Sequence, residues 1–524
     1  MRNWHSWTLV LALAAIGVFC ATAASACTSI MVGRKASADG SVMTSHTCDS
    51  HEDSSAIWIV PHAKHQPGEQ VVTSRRDEDP SGPMKRLRRK KTGEIPQVSE
   101  TNGYVVGIYA IINEHQLAIG ESTFEGRPEL VSQKGLIDCD TLTRLMLERA
   151  KTAREAIRIA GRLIEQYGWC DVGEALTVAD TREVWLMEIV GPGKDAVGGA
   201  WAARRVPDDH VSLVANGSRL EEIDLGNPEF FMASKNVRSM AEKLGYWNPK
   251  SGQPFRFCDA YSPESRTEVA TTRREWRVLD LLAPSLHLHP NSNRFPFSVK
   301  PEKPVKPEKI MELFRDTFEG TDFDMVKDLT VQDATGKAVK SPLANPFMPY
   351  EMNKMLRLNG GWGWMGERCL ARWYCMYSTV TQSRGWLPDS VGGMVWVGYG
   401  NPAMTTYVPI YVGVTDLPEE IKTNGRETGF SHRSAWWAFK QVATLAAHRW
   451  GDMRNDVAAV RGPLQDRFLV EQKAIAEKAC GLLKDDPAKA RAFLTEQTAK
   501  AAHQAIDAYW NLGTLLWTKY DELW

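Results

Sequence analysis

The chain has 524 residues, 43% of them hydrophobic and 24% charged, with a formal net charge of −1. That balance fits a globular protein with a sizeable core and argues against nucleic acid as a partner, which would need an excess of basic charge.

In chain order the first element is a targeting signal. Arg2, an apolar run over 7–21 and the small residues Ala24-Ser25-Ala26 form the three-part pattern of a secretory signal peptide. Signal peptidase would remove residues 1–26, leave Cys27 first and deliver the chain to the periplasm or beyond. The run is too short for a membrane span, which takes about 20 apolar residues, and no later stretch comes near that length.

Residues 28–33 read as a buried strand, 38–40 as a turn and 41–45 as its hairpin partner, so Cys27 stands at the open end of a strand. The basic run Lys85-Arg86-Leu87-Arg88-Arg89-Lys90-Lys91 reads as a solvated loop, since one isolated cluster supplies little affinity for a polyanion. A second hairpin is predicted over 104–112 and 116–119, then one helix over 139–167 with Gly168 as its stop. Strands follow at 175–178, 184–189 and 211–215, a helix at 235–243, a Pro- and Lys-rich loop at 296–307 and a helix at 308–317. Strands resume at 394–397 and 407–412, and from 431 the pattern is helical, with Ala-rich amphipathic stretches at 436–447 and 472–483. Residues 27–430 thus read as one mixed α and β domain and 431–524 as a helical extension, without a fixed-period repeat.

Nine cysteines are present, and Cys20 falls within the signal peptide. With Cys27 set apart, seven remain, too sparsely spaced for a disulfide framework and odd in number, which implies at least one free thiol. A cysteine directly after a signal-peptidase site has three readings. It is there by chance, or it is a lipoprotein anchor, for which Ala24 is a poor match to the usual Leu, or it is catalytic. In the catalytic case the free amine beside the thiol acts as its general base, with an ordinary pKa of about 7.7–8.0.

The opening CTSIMVGRKASADGSVMTSHTCDS resembles the mature start of the dipeptidase and secernin family of cysteine N-terminal-nucleophile hydrolases. INEHQLAIGEST, VADTREVWLMEIVGPG, VPDDHVSLVANGSRLEEIDL, FRDTFEGTDFDMVKDL, GGMVWVGYGNP and TYVPIYVG follow in that family's order. The resemblance implies an α+β fold, a four-layer αββα sandwich, and an exported dipeptidase working without cofactor or metal on a dipeptide or other small amide. The alternatives kept open are an acyl-amino-acid or amide hydrolase of the same superfamily and a lipid-anchored binding protein. A homo-oligomer is also left open.

Residue by residue, the resemblance implies Cys27 as nucleophile and Asp49 as the carboxylate that holds the N-terminal ammonium; a turn-capping Asp is the bland reading. It implies Asn216 as an oxyanion-hole amide, against a strand-end turn or the sequon Asn216-Gly217-Ser218. Arg274 matches the arginine beside the nucleophile, with a slip to Arg273 open and a surface position the bland reading. Two departures stand out: His46 occupies the place of a family arginine, and Thr123 that of a second oxyanion-hole asparagine. His46, Cys48 and His51 lie close in sequence, but no fourth ligand follows at suitable spacing and no HExxH or paired Cys-x-x-Cys motif occurs. His287 and His289 read as loop.

Overall fold

The structure, a computed structural model, describes residues 27–79, 84–347 and 367–522; the signal-peptide reading of residues 1–26 falls outside them. Directly after Cys27, Ser29–Val32 forms a fully buried strand. The chain then reverses at Asp39, whose Oδ1 accepts from Ser37 Oγ, Ser41 N and Ser41 Oγ at 2.8, 3.0 and 2.6 Å. Gly40 completes the turn at φ +81°, a conformation that penalises a side chain. The partner strand Val42–Asp49 pairs Met43 with Val32, and all eight of its residues are buried. Burial on both faces of a strand requires cover on both faces of its sheet.

Among the described residues two large sheets carry the fold. A seven-stranded antiparallel sheet runs in the order Ser298–Val299, Val211–Val214, Ser29–Val32, Val42–Asp49, Cys375–Ser383, Gly393–Tyr399, Val408–Tyr411. An eight-stranded sheet runs Phe231–Ala233, Ala200–Arg205, Val184–Val190, Gly173–Ala179, Ala118–Glu125, Ala110–Asn113, Tyr104–Val106, Trp58–Val60. The sheets meet face to face near the predicted nucleophile: Ser29 Oγ donates to Glu121 O at 2.8 Å, and the Thr44 and Thr177 hydroxyls lie 2.5 Å apart. Gly120 permits this approach, because a Cβ there would stand 2.4 Å from Ser45 O.

Helices Cys139–Arg149 and Ala153–Tyr167 pack on the eight-stranded sheet, where Asn113 Nδ2 donates to Leu147 O and Ala150 O. The C-terminal region is helical, as Ala435–His448, Trp450–Asp485 and Pro487–Lys519. Asp486 accepts from Ala488 N and Lys489 N and is followed by Pro487, an N-cap with proline at the first helical position. This region docks on the seven-stranded sheet through Tyr509 Oη, which donates to Met404 O at 2.6 Å, and Gln465 Oε1, which accepts from Tyr407 N at 2.8 Å. One apolar core runs from Ile30 to Tyr520. The fold is thus mixed α+β with a C-terminal helical region.

Four sequence expectations are corrected. The basic run is no loop: Arg86–Pro96 is a strand paired with Gln70–Asp79, in a register that sets Arg88 opposite Asp77 and Arg86 opposite Asp79. Opposite charges across the ladder, and Arg89 reaching Asp138 at 2.8 Å, neutralise it in place. The stretch 104–112 is two strands, because Tyr377 Oη from the other sheet accepts Ile108 N at 3.1 Å and holds a reversal there. The helix over 139–167 is two helices, divided where Thr152 Oγ1 caps Glu155 N. Within 296–307, Ser298–Val299 adds an edge strand to Val211–Ser212.

Candidate active site

Cys27 is fully buried at the entry to strand Ser29–Val32, and hydrogen bonds from three segments fix its backbone. Its carbonyl accepts from Arg274 Nη1 at 3.0 Å and Ser122 Oγ at 3.3 Å, and the next amide, Thr28 N, donates to Thr47 Oγ1 at 2.9 Å. The Asp49 N–H points at the Cys27 sulfur.

Arg274 lies on helix Val269–Leu282 and is 1% exposed. Beyond Cys27 O it donates to Thr28 Oγ1 at 2.9 Å, to Ala215 O and Asn216 Oδ1 at 3.0 Å each, and to Ala270 O at 2.8 Å. The planar guanidinium fork serves both the start of one strand and the end of its neighbour. Arg273 turns the other way, onto Glu367 at 2.8 Å, so the one-residue alternative does not reach Cys27.

Asn216 directly follows strand Val211–Val214 and Ala215, with φ +56°, a left-handed conformation that Asn tolerates. Its N–H donates to Ser122 Oγ at 2.9 Å and its Nδ2 to Thr123 O at 2.7 Å. Glu188 supports the turn that follows, accepting from Ser218 Oγ, Arg219 N and Leu220 N.

Asp49 ends its strand with no exposed surface, and its Oδ2 forms an ion pair with Arg368 while accepting from Thr47 Oγ1 at 3.3 Å. Oδ1 receives no N–H or O–H. Burial raises the Asp49 carboxyl, against the pull of Arg368. Arg368 also reaches Asn216 Oδ1 at 3.3 Å and so joins two of the predicted residues, although no sequence motif marks it.

His46 does not take the place of that charge partner. It sits three residues from Asp49 on one strand, hence on the opposite face, and its Nδ1 lies 2.9 Å from Glu121 O in the other sheet. Thr123 spends its single hydroxyl proton on carboxylates, lying 2.9 Å from Glu121 Oε1 and 3.1 Å from Glu174 Oε2. Cys48 faces Asp53, and His51 packs against Trp373 and Tyr374, so the sequence cluster 46, 48, 51 does not converge. Among the described residues one group could hold a metal: the donor atoms of Cys27, His46 and Glu121 lie within 4.8 Å of one another.

The electrostatics keep the thiol protonated as it stands. Burial pushes Cys27 well up, and the nearby Glu121, Cys48 and Asp49 add to this. Burial also pushes Glu121 up, but His46, Glu174 and the Cys27 thiol outweigh it and hold Glu121 below the ordinary range. Glu174 is raised by burial and by Glu121, so of this pair Glu121 is the anion. Nucleophilic use of Cys27 therefore requires a base.

A family model described as Peptidase family C69 matches residues 26–462, from the residue before Cys27 into the C-terminal helices. The chain belongs to this family. As a member of a cysteine peptidase family it is a peptide-bond hydrolase. Similar proteins include a "Probable dipeptidase" of Latilactobacillus sakei, 24% identical over 95% of this chain and 96% of that protein. A "Probable dipeptidase" of Salmonella dublin is 26% identical over 74% and 81%. A "Dipeptidase" of Bifidobacterium longum (strain NCC 2705) is 25% identical over 82% and 79%. The described cysteines are all free thiols, and no described helix is long and apolar enough to cross a membrane.

Proposed function

We propose that this Peptidase family C69 member is an exported dipeptidase whose nucleophile is Cys27, freed as the N-terminal residue by signal peptidase. The observation that carries the reading is the Arg274 guanidinium, which binds Cys27 O, Thr28 Oγ1 and Asn216 Oδ1 together and so ties the nucleophile's strand to the asparagine. The relatives named dipeptidase support the substrate class. The two facing sheets with helices packed on each fit the four-layer αββα arrangement of N-terminal-nucleophile hydrolases. In this reading 27–430 is the catalytic body and 431–524 an extension.

The amine of Cys27 takes the thiol proton, and the thiolate attacks the scissile carbonyl. Asp49 Oδ1, which lacks an N–H or O–H donor, holds the ammonium, and the Asn216 amide stabilises the oxyanion. The amine of the departing amino acid collects the proton, leaving a thioester on Sγ. Water, deprotonated by the Cys27 amine, then attacks the thioester carbonyl, and that amine returns the proton to Sγ as the acid departs, which restores the thiol.

The test is Cys27→Ala in the exported, processed protein, assayed on a panel of dipeptides and N-acyl amino acids. Loss of activity by at least about a thousandfold is expected. Activity retained above that level would place the nucleophile elsewhere, and N-acyl amino acids cleaved in preference to dipeptides would overturn the substrate class.

A further inference from the structure

Two side chains beside Cys27 have no part in that proton path. Glu121 and His46 project from opposite sheets, are 0% and 3% exposed, and each leaves a buried polar atom without a hydrogen-bond partner. His46 Nδ1 faces a carbonyl, which only accepts, so it carries a proton, while Nε2 has no partner. Glu121 Oε1 accepts the Thr123 hydroxyl, while Oε2 receives no N–H or O–H and stands 3.7 Å from His46 Nδ1. Buried polar atoms are rarely left so, and two around one thiol point to a shared ligand.

The donor set is a thiol, an imidazole and a carboxylate within 4.8 Å of one another. Those are ligands of a borderline-soft divalent ion, and calcium or magnesium would instead take oxygen throughout. Outer contacts of the kind that orient metal ligands are in place: the His46 ring N–H on a backbone carbonyl, and the Glu121 carboxylate on Thr123. Bonds of about 2.0–2.3 Å put tetrahedral ligands roughly 3.5 Å apart, so the three side chains need to draw in by about 1 Å.

We propose that Cys27 Sγ, His46 and Glu121 form an inhibitory site for Zn2+. The thiol loses its proton to solvent as the sulfur binds the ion, and nothing is oxidised or reduced. Where processing has freed Cys27, its amine closes a five-membered chelate as fourth ligand; this part rests on the function proposed above. A sulfur lone pair committed to the ion cannot attack a carbonyl, so bound Zn2+ silences the peptidase until a chelator removes it.

The experiment titrates the chelator-treated, processed protein with Co2+ and then with Zn2+. Co2+ is expected to give a thiolate-to-cobalt absorption band that Zn2+ displaces and Cys27→Ser abolishes. His46→Gln and Glu121→Gln should each raise the Co2+ Kd at least about tenfold, the scale on which disturbed metal shells lose affinity. Circular dichroism verifies each fold; if one variant fails to fold, the other and the wild-type-against-Cys27→Ser comparison decide. Absence of the band, or a band that neither variant weakens, would overturn the site, the latter because the N-terminal aminothiol alone would then hold the ion. Chelated protein that binds Co2+ in this way yet cleaves no dipeptide would support the site and sink the hydrolase reading alone.

Discussion

Arg368 and Asp49, 319 residues apart in sequence, form a buried ion pair beneath the Cys27 strand. Removing one partner strands the other charge in the interior, at a cost of about 3–5 kcal/mol. Arg368→Gln is therefore expected to destabilise the protein by that amount in urea, and Asp49→Asn/Arg368→Gln to recover most of it without regaining activity. Single-variant losses that simply add, within about 0.5 kcal/mol, would show that the pair is not coupled.

Asn216 allows its backbone and its amide to be separated. At φ +56° glycine is comfortable, so Asn216→Gly keeps the turn and deletes only the side chain. If the amide stabilises the oxyanion, kcat measured well below the melting temperature should fall about 100- to 1000-fold, while the melting temperature drops because Arg274, Arg368 and Thr123 O lose a buried partner. A variant with near-normal kcat would return Asn216 to its bland reading, a residue chosen for the turn.

The Cys27 hairpin was legible because a short apolar run, the turn Ala38-Asp39-Gly40 and a second such run follow one another in sequence. The divided helix over 139–167 was legible too, and missed: Thr152 and Glu155 have capping-box spacing, with Glu155 Oε2 accepting Lys151 N at 2.9 Å. Glu121 left a fainter trace, a lone acid in the apolar run Leu117 to Ser122, where a buried charge needs a partner. Arg368 left none, since only the folding of distant strands brings it to Asp49. The basic run misled because its acidic partners sit about ten residues upstream, across a hairpin, or on a separate helix and its cap.

Glu121 also controls the thiol. Its charge stands beside Cys27 and, after burial, is the leading contribution raising the thiol. Glu121→Gln removes that repulsion, so the pH profile of Cys27 alkylation by iodoacetamide should move to lower pH, because the thiolate is the reactive form. Chelator is kept present, so metal occupancy does not enter the comparison. A profile that stays in place or moves to higher pH would mean that Glu121 acts on Cys27 by shape alone.

Glu188 makes the stability of the Asn216 turn depend on pH. Burial raises its carboxyl from 4.5 to about 7, against the hydrogen bonds from Ser218, Arg219 and Leu220. A folded-state value above the unfolded one means that the native protein holds the extra proton between those limits. Stability from this group is therefore full below about pH 4.5, falls as pH rises towards 7, and levels off above it. The difference corresponds to roughly 3 kcal/mol at 1.36 kcal/mol for each pH unit. Urea denaturation at pH 5 and pH 8 should show a larger loss in the wild type than in Glu188→Gln, which cannot titrate there. Each protein is compared with itself, so the acceptor that glutamine lacks cancels, as do the other titrating groups. Parallel losses in the two proteins would mean that the carboxylate stays ionised across this range, held by its three donors and by Arg266 nearby.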